Sequence, residues 1–363
     1  MEDTIWIRFV LMHQWNERSD FGKYDRILLL EWKIMISGSS VKCYVCEQYI
    51  VDGNTYDEHI ILNALGGRLH SKNLLCRQCS PLFDKIDAEL AKQFNPLANL
   101  LNVRRHRGEP QPIKASLVKT GEQIFVACDG NILRLKPTFD YKENVGLKIS
   151  ARNEKELKQI LNGVKRKNPT LDINKELKSA VKSESSLDTQ IEFSIKYINS
   201  DEIYRSICKI AINFYVYSTR EYSDINHLIP YLKGEEIIDC VKICDPIYEF
   251  FPFSLAQDEV FHNLLVCGNS EENILYAVVQ IFSTFQYIVI LSKKYGGQDF
   301  SNSYCFDLTE RIAYRPLLEI PHIPRSLILK ILGQQLCSSP HFEGRINDLA
   351  KFIQRNQHSE RLN

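Results

Sequence analysis

The chain has 363 residues, 44% hydrophobic and 25% charged; this composition excludes a largely disordered or fibrous protein and suggests two or three domains at roughly 100–200 residues each. Lys and Arg together number 45, as do Asp and Glu, so the net charge is zero and any nucleic-acid site must come from locally concentrated charge. The 11 cysteines, an odd number in a long chain, exclude a small disulfide-rich secreted scaffold and favour a reducing, cytoplasmic location with some cysteines on a metal.

Residues 1–40 are interpreted as an N-terminal extension whose status is open. The methionines lie at positions 1, 12 and 35, and residues 1–34 lack clear signals for the start or end of a helix or strand. Translation could begin at Met35, or the segment is amphipathic and packs on the body of the protein. The acidic start at Glu2 and Asp3 is unlike a secretory signal, and no apolar run approaches about 18 residues. We therefore expect no membrane contact.

Two closely spaced cysteine pairs mark residues 41–102, which we call the cysteine-rich segment. Cys43 and Cys46 form the first C-x2-C pair, and Cys76 and Cys79 form the second. Each pair can turn two thiolates toward one point, and four thiolates complete a tetrahedral shell with no open position. The spacing therefore predicts a structural Zn²⁺. Two disulfides are the alternative, which the odd cysteine total disfavours.

The sequence between the cysteine pairs reads YDEHIILNALGGRLHSKNLL. Residues 58–61 are expected to form a strand, and Gly66-Gly67 the loop after it. Beyond the second pair, apolar residues recur at helical spacing from 82 to 101, with Pro96 as a kink or break. The helix is expected to pack against both cysteine pairs.

This segment resembles the HNH endonuclease family, in the subgroup with flanking C-x2-C pairs and an EHI-x4-LGG core. The cysteine pairs, Glu58-His59, Gly66-Gly67 and Asn73 occur in the order that the family has. The resemblance covers about residues 41–102. It implies a small zinc-stapled ββα-metal finger as the fold of the segment.

The resemblance also implies roles for individual residues. His59 would be the general base that takes a proton from water for attack on a phosphodiester, which suits a side chain with a pKa near neutrality. Glu58 would help to hold one divalent cation, Mg²⁺ or another, that stabilises the charge of the transition state. Asn73 would orient the loop that carries the histidine, through hydrogen bonds.

One position departs from the family pattern. Directly after the second cysteine pair the family carries Asn or His as the other ligand of the catalytic metal, and this chain has Ser80. A hydroxyl is a poorer ligand, so the substitution puts catalysis in doubt. Ser80 followed by Pro81 is also typical of a helix N-cap and first helical position, which is the interpretation that we favour. Asp84 could supply a replacement carboxylate.

Basic residues concentrate after the cysteine-rich segment. Arg104, Arg105 and Arg107 form a cluster that could contact nucleic-acid phosphates; a solvated linker is the alternative. Residues 101–190 hold 18 basic and 11 acidic residues, a local excess of +7. This excess predicts a phosphate-facing surface or, alternatively, a solvated helical face.

Residues 103–363 predict a larger mixed α+β domain of unknown role, which begins with a basic connector at 103–112. Two strands joined by an Asp-Gly turn, several helices and a pair of core strands are expected along it. The predicted strands are 123–128, 131–136 and two within 274–292, and the predicted helices are 154–165, 174–181, 200–216 and 325–336.

The function predicted from these observations is a metal-dependent HNH endonuclease that hydrolyses nucleic acid, with DNA as the expected substrate and partner. The first alternative is a weakened, zinc-bound module that binds nucleic acid or protein without cutting. A second is that the segment is a remnant and that 103–363 is an interaction or sensor domain. The sequence does not indicate an oligomeric state.

Overall fold

The computed structural model describes residues 4–11, 41–135, 138–142, 146–151, 154–167, 169, 171–179, 190–245, 259–314, 323–333 and 340–359. Helices and strands are mixed, at 38% and 26%. The strand pairs of the larger sheet are antiparallel, and the predicted α+β class is confirmed. None of the described helices is long and apolar enough to cross a membrane.

The described residues form seven α-helices and fifteen β-strands. The helices are α1 (Asp84–Leu100), α2 (Glu154–Lys167), α3 (Ile173–Ser179), α4 (Asp201–Thr219), α5 (Ile229–Lys233), α6 (Arg325–Leu332) and α7 (Pro340–Ser359). The strands are β1 (Thr4–Leu11), β2 (Glu58–His59), β3 (His70–Ser71), β4 (Ile113–Leu117), β5 (Gln123–Val126), β6 (Ile132–Arg134), β7 (Thr138–Lys142), β8 (Gly146–Ser150), β9 (Ile191–Ile198), β10 (Val241–Cys244), β11 (Phe261–Asn269), β12 (Ile274–Ile281), β13 (Phe285–Ser292), β14 (Phe300–Asp307) and β15 (Ala313–Tyr314). Short 3-10 turns span Asn63–Leu65, Ser80–Phe83 and Ser223–Leu228.

Contacts divide the chain into two compact units. Among the described residues, the first unit takes in 4–7, 41–110 and those from 196 onward, and the second takes in 8–11 and 111–195. The cysteine-rich segment thus belongs to the same unit as the larger sheet. The predicted domain boundaries at 41–102 and 103–363 stay a prediction. Residues 4–11 of the predicted extension, in which no clear strand signal was found, form β1, and residues 1–3 and 12–40 lie outside the described part of the chain.

The first unit is built on a six-stranded sheet in the order β10-β13-β12-β11-β14-β15. Strands β11, β12 and β13 are buried along almost their whole length. One face packs on α6 through a cluster of Cys244, Leu265, Cys267, Ile274, Tyr276, Val278, Ile288, Ile290, Ile323, Ile328, Ile331 and Leu332. The other face packs on α4. On this face Tyr287 of β13 points away from the cluster, and its ring centroid lies 6.5 Å from that of Tyr204 of α4.

Helix α4 connects this sheet to the cysteine-rich segment. It begins after Ser200, whose Oγ accepts a hydrogen bond from the Ile203 N–H, and it ends at Arg220 in the left-handed region. Its middle is buried, because the sheet covers one side and α1 packs on another. Phe94 of α1 reaches the sheet as well, with its ring centroid 4.9 Å from that of Phe285.

The second unit contains β4, β5 and β6, which form an antiparallel meander within a sheet of order β1-β9-β4-β5-β6. The predicted strands at 123–128 and 131–136 are β5 and β6, and Gly130 makes the turn between them with a φ of 79°. The predicted helix at 154–165 is α2, and the one at 174–181 is α3. Residues 180–181 lie outside the described chain.

The remaining predicted elements are present in the first unit with one difference. The helix predicted at 82–101 is α1, which contains Pro96 and follows a 3-10 turn. The helix predicted at 200–216 is α4, and the two core strands are β12 and β13. The helix predicted at 325–336 is α6, which ends at Leu332, and residues 334–336 lie outside the described chain. The strand predicted at 58–61 ends at His59, because the chain bends at Ile60 toward the 3-10 turn at Asn63–Leu65.

Candidate functional site

The two cysteine pairs meet at one point. The Sγ atoms of Cys43, Cys46, Cys76 and Cys79 all lie within 4.8 Å of one another, and those of Cys46 and Cys76 are 3.8 Å apart. Disulfide sulfurs lie about 2.05 Å apart, and all four thiols are free, so the disulfide alternative is wrong. Four converging sulfurs could hold a metal ion, and a closed shell of four thiolates is consistent with Zn²⁺.

The β2–β3 hairpin turns neighbouring side chains to opposite sides. Glu58 is paired with Ser71, and His59 with His70, in antiparallel register. Because successive side chains of a strand alternate, Glu58 points inward and is 4% exposed, while His59 is half-buried. The adjacent acid and base of this hairpin therefore lie in different environments.

The loop after β2 is fixed by a close backbone approach and by the larger sheet. A Cβ atom at Gly67 would overlap the carbonyl oxygen of Ile61, so only glycine fits there. His262 of β11 donates from Nε2 to the Leu65 carbonyl at 2.8 Å, and its Nδ1 accepts from the Phe282 N–H at 3.2 Å. His262 thus anchors the loop to the sheet.

Two histidine rings, those of His70 and His106, lie around His59. Its Nε2 lies 3.1 Å from Nδ1 of His106, whose backbone N–H donates to Asn63 Oδ1 at 2.7 Å. The His70 centroid is 5.5 Å from that of His59, and His70 Nδ1 lies 2.7 Å from Asp57 Oδ1. Burial, reinforced by His106 and His70, lowers the pKa of His59 to about 4. His59 is therefore neutral near pH 7, the form that can accept a proton.

Arginine side chains lie close to these histidines. Arg104 and Arg107 are exposed, and Arg68 donates from Nη2 to the Arg104 carbonyl at 3.1 Å. Arg105 is half-buried, and its Nη1 donates to the Glu109 carbonyl at 3.1 Å. Two of the three arginines predicted to contact nucleic acid thus face solvent, while the third is held by its own connector.

Glu58 lies in a buried hydrogen-bond network. The ammonium group of Lys209, on α4, lies 2.5 Å from Glu58 Oε1 and 2.5 Å from Asp87 Oδ2. The Ser80 hydroxyl donates to Glu58 Oε2 at 3.2 Å, and the Asn213 amide donates to Oε1 at 3.4 Å. Both carboxylate oxygens of Glu58 are therefore engaged.

One ammonium group faces two carboxylates in this network. Burial raises the pKa of Glu58, and Lys209 opposes that rise. Burial would lower the pKa of Lys209, but Asp87 and Glu58 outweigh it, so the net pKa is raised. Lys209 is therefore a charged ammonium group that two carboxylates share. A buried charge of this kind is tolerated because it is paired.

Ser80 does not cap a helix, so the capping interpretation is wrong. Cys79 occupies the N-cap position of the 3-10 turn at Ser80–Phe83, and no side chain makes a capping hydrogen bond there. The buried Ser80 hydroxyl is directed at Glu58 instead, while Pro81 does lie in the first turn. Asp84 is exposed, and the carboxylate that joins the network is Asp87, three residues further along α1.

Asn73 follows β3, and its backbone N–H donates to the Ser71 hydroxyl at 3.2 Å. Among the described residues, the Asn73 side chain makes no hydrogen bond to His59. The orienting role of Asn73 stays a prediction.

Lys209 and Asn213 were not predicted as site residues. They are the polar residues of the apolar stretch ICKIAINF in α4. Their spacing of four puts both on one face of the helix, and this is the signal that could have found them. His106 lies within the predicted basic cluster, but its contact with His59 depends on the fold, because 47 positions separate the two.

Comparison with known families identifies the cysteine-rich segment. The family model described as HNH endonuclease matches residues 43–95. No curated protein and no solved structure matches the chain. The matched range includes both cysteine pairs, the β2–β3 hairpin and most of α1, and it excludes His106 and Lys209. Residues 43–95 are an HNH endonuclease-type domain, and the four-cysteine cluster fits the flanking zinc knuckles of that family.

Proposed function

We propose that this domain is an endonuclease that hydrolyses phosphodiester bonds of nucleic acid, with DNA as the expected substrate. The observation that carries the proposal is the state of His59. The family resemblance gives the residue the position of the general base, it is partly open to solvent, and its Nε2 lies 3.1 Å from His106 Nδ1. Its lowered pKa leaves the imidazole neutral near pH 7, although it is then a weaker base than a histidine with a pKa near neutrality. A neutral imidazole in that position takes a proton from water as the water attacks phosphorus; the P–O bond to the leaving oxygen breaks, and that oxygen takes a proton from solvent.

The side chains around His59 support phosphate binding. Arg104 and Arg107 are exposed, and the Arg68 guanidinium donates to the Arg104 carbonyl. Arginine contacts to phosphate fix the position of a nucleic acid without reading its sequence. In this proposal the arginines hold the backbone of the substrate, His106 orients the His59 ring, and Asn73 supports the loop.

The four-cysteine cluster binds Zn²⁺ in this proposal and has a structural role. Its four sulfurs lie within 4.8 Å of one another and would fill the four positions of a tetrahedral zinc shell, which would leave no position for water. The zinc ion therefore holds the two knuckles together and takes no part in hydrolysis.

The divalent cation that the family likeness implies does not fit the surroundings of Glu58. The carboxylate is 4% exposed, and Lys209 and Ser80 occupy its two oxygens. The Ser80 hydroxyl keeps free lone pairs while it donates to Glu58, but it is a weaker ligand than the Asn or His of the family, and the Lys209 ammonium group already lies against the carboxylate. No step of the proposed reaction is therefore routed through a cation at Glu58. The predicted pair of metal ligands, Glu58 and Ser80, stays a prediction.

The proposal is tested by cleavage of plasmid and single-stranded DNA with the zinc-loaded full chain. His59→Ala should slow cleavage by about 10²–10⁴-fold, the usual effect of removing a general base. His341→Ala, which removes an exposed histidine of α7, is the matched control and should cleave normally. Equal rates for wild type and His59→Ala would refute the role of His59.

A second candidate function is binding of nucleic acid without cleavage. It is favoured by the Glu58–Lys209 pair, which leaves the family's metal-anchoring carboxylate engaged. Salt-dependent DNA binding by wild type and His59→Ala alike, with no cleavage by either under any metal, would establish this function in place of the first.

A further inference from the structure

We propose that Lys209 takes the place of the catalytic divalent cation in this HNH-type domain. Its ammonium group lies between the carboxylates of Glu58 and Asp87, at 2.5 Å from an oxygen of each. Lys209 is on α4, outside the family-matched range of 43–95. The rest of the first unit thus supplies a fixed positive charge where the family uses a free ion. This inference holds whether or not the domain cleaves nucleic acid.

The residue at position 80 fits an ammonium group better than a metal. In the family this position carries a metal ligand, whereas Ser80 donates a hydrogen bond to Glu58 Oε2. The hydroxyl oxygen of Ser80 is a weaker metal ligand than the family's amide or imidazole, whereas an ammonium group that binds the other carboxylate oxygen needs no ligand at position 80. Ser80 in place of the family's metal ligand and the Lys209 ammonium group at Glu58 are therefore both explained by one replacement of the metal ion by a lysine.

The surroundings hold the ammonium group in place. The Lys209 side chain is 3% exposed, and its Nζ lies 5.7 Å from the centre of the Phe83 ring, a cation–π contact. The Ser206 hydroxyl donates to the second oxygen of Asp87 at 3.0 Å.

The amide that flanks the pair is fixed from the other side. The Tyr44 hydroxyl donates to the Asn213 carbonyl oxygen at 2.8 Å, which directs the Asn213 amide group toward Glu58. Side chains from the first knuckle, the hairpin, α1 and α4 thus close around one cation. A divalent ion could enter only by displacing Lys209 from the Glu58 and Asp87 carboxylates.

Removing Lys209 should turn this network into a divalent site. Lys209→Ala leaves the Glu58 and Asp87 carboxylates facing a gap, and paired carboxylates are the ligands that Mn²⁺ and Mg²⁺ prefer. We expect zinc-loaded Lys209→Ala to bind about one additional Mn²⁺ per chain, counted by the loss of the free-ion electron paramagnetic resonance signal. The double variant Lys209→Ala/Glu58→Gln should lose that ion. Mn²⁺ should also raise the Tm of Lys209→Ala by a few degrees.

Wild type and a surface control define the comparison. Lys85→Ala removes an exposed lysine that pairs with Glu202 on α4. This variant should bind as much Mn²⁺ as wild type, and adding Glu58→Gln to it should not change the amount bound. Folded Lys209→Ala without extra Mn²⁺ would overturn the inference. If Lys209→Ala does not fold, Mn²⁺ binding is compared between wild type and the single variant Glu58→Gln. Equal binding by the two proteins supports the inference. Binding of an Mn²⁺ ion by wild type that is lost in Glu58→Gln overturns it.

Discussion

Glu58 and His59 are neighbours in sequence, but because they alternate along a strand their side chains lie in different environments. Glu58 enters a buried network in which a lysine neutralises it, while His59 faces a cluster of histidines and arginines. The low pKa of His59 follows first from burial and then from positive neighbours. The surroundings that keep His59 neutral are also suited to a phosphate. Among the described groups that shift the pKa of His59, Asp57 is the one acid.

The three arginines of the connector should differ in their effect on DNA binding. Arg104→Ala and Arg107→Ala should each weaken binding and reduce the log–log salt slope by about 1, because each exposed guanidinium can neutralise one phosphate. Arg105→Ala should leave the slope unchanged, since its guanidinium donates to the Glu109 carbonyl. Fluorescence anisotropy titrations at several salt concentrations measure the slope. An equal loss for all three variants would show that Arg105 leaves its carbonyl partner to bind DNA.

At the scale of elements, the loop after β2 depends on β11 through His262. Burial lowers the pKa of His262 to about 4, below the unfolded value of about 6.5. Between these values the unfolded chain binds more protons, so the free energy of unfolding should fall as the pH falls. From pH 7 to pH 5 this one group accounts for about 2 kcal/mol.

The variant His262→Gln isolates that contribution. A glutamine amide can still donate to the Leu65 carbonyl but does not titrate, so the loss of stability between pH 7 and pH 5 should be smaller by about 2 kcal/mol. Urea unfolding of both proteins at the two pH values measures the difference. An identical pH dependence would mean that His262 is not the group that titrates.

The two cysteine knuckles depend on each other through the metal. Cys76→Ser should remove the bound zinc, about one ion per chain, and unfold the HNH-type domain, because structural zinc contributes roughly 10–16 kcal/mol of apparent binding free energy in small zinc modules. Cys128→Ser, a cysteine of the second unit, should keep its zinc. Elemental analysis and circular dichroism measure both effects, and wild type purified without chelator yet free of zinc would contradict the assignment.

Local patterns predicted the elements, and tertiary contacts decided the site. The cysteine pairs, the Asp-Gly turn and the apolar periodicity of α1 and α4 depend on short-range rules, and the structure has each of them where they were predicted. Ser80 was misinterpreted because capping is a local preference, while its real partner Glu58 lies 22 positions away. Lys209 is 151 positions from Glu58. No spacing rule links residues so far apart.

At the scale of the whole molecule, the HNH-type domain and the larger sheet form one compact unit. Helix α4 supplies both the buried face that covers the sheet and the lysine that reaches Glu58. The part of the chain beyond the family match is thus structurally joined to the candidate site, which argues against a remnant domain beside an independent sensor. The basic excess of residues 101–190 falls mostly in the second unit, and its role as a phosphate-facing surface stays a prediction.

The most direct test of the account is single-turnover cleavage of DNA by the zinc-loaded chain, at fixed free zinc, with and without Mg²⁺. If His59 is the base and Lys209 stands where the cation would bind, the rate should be the same in both conditions, and His59→Ala should reduce it by about 10²–10⁴-fold. A rate that rises steeply with Mg²⁺ and is lost in Glu58→Gln would contradict the role of Lys209. No cleavage by wild type in either condition would contradict the proposed nuclease activity.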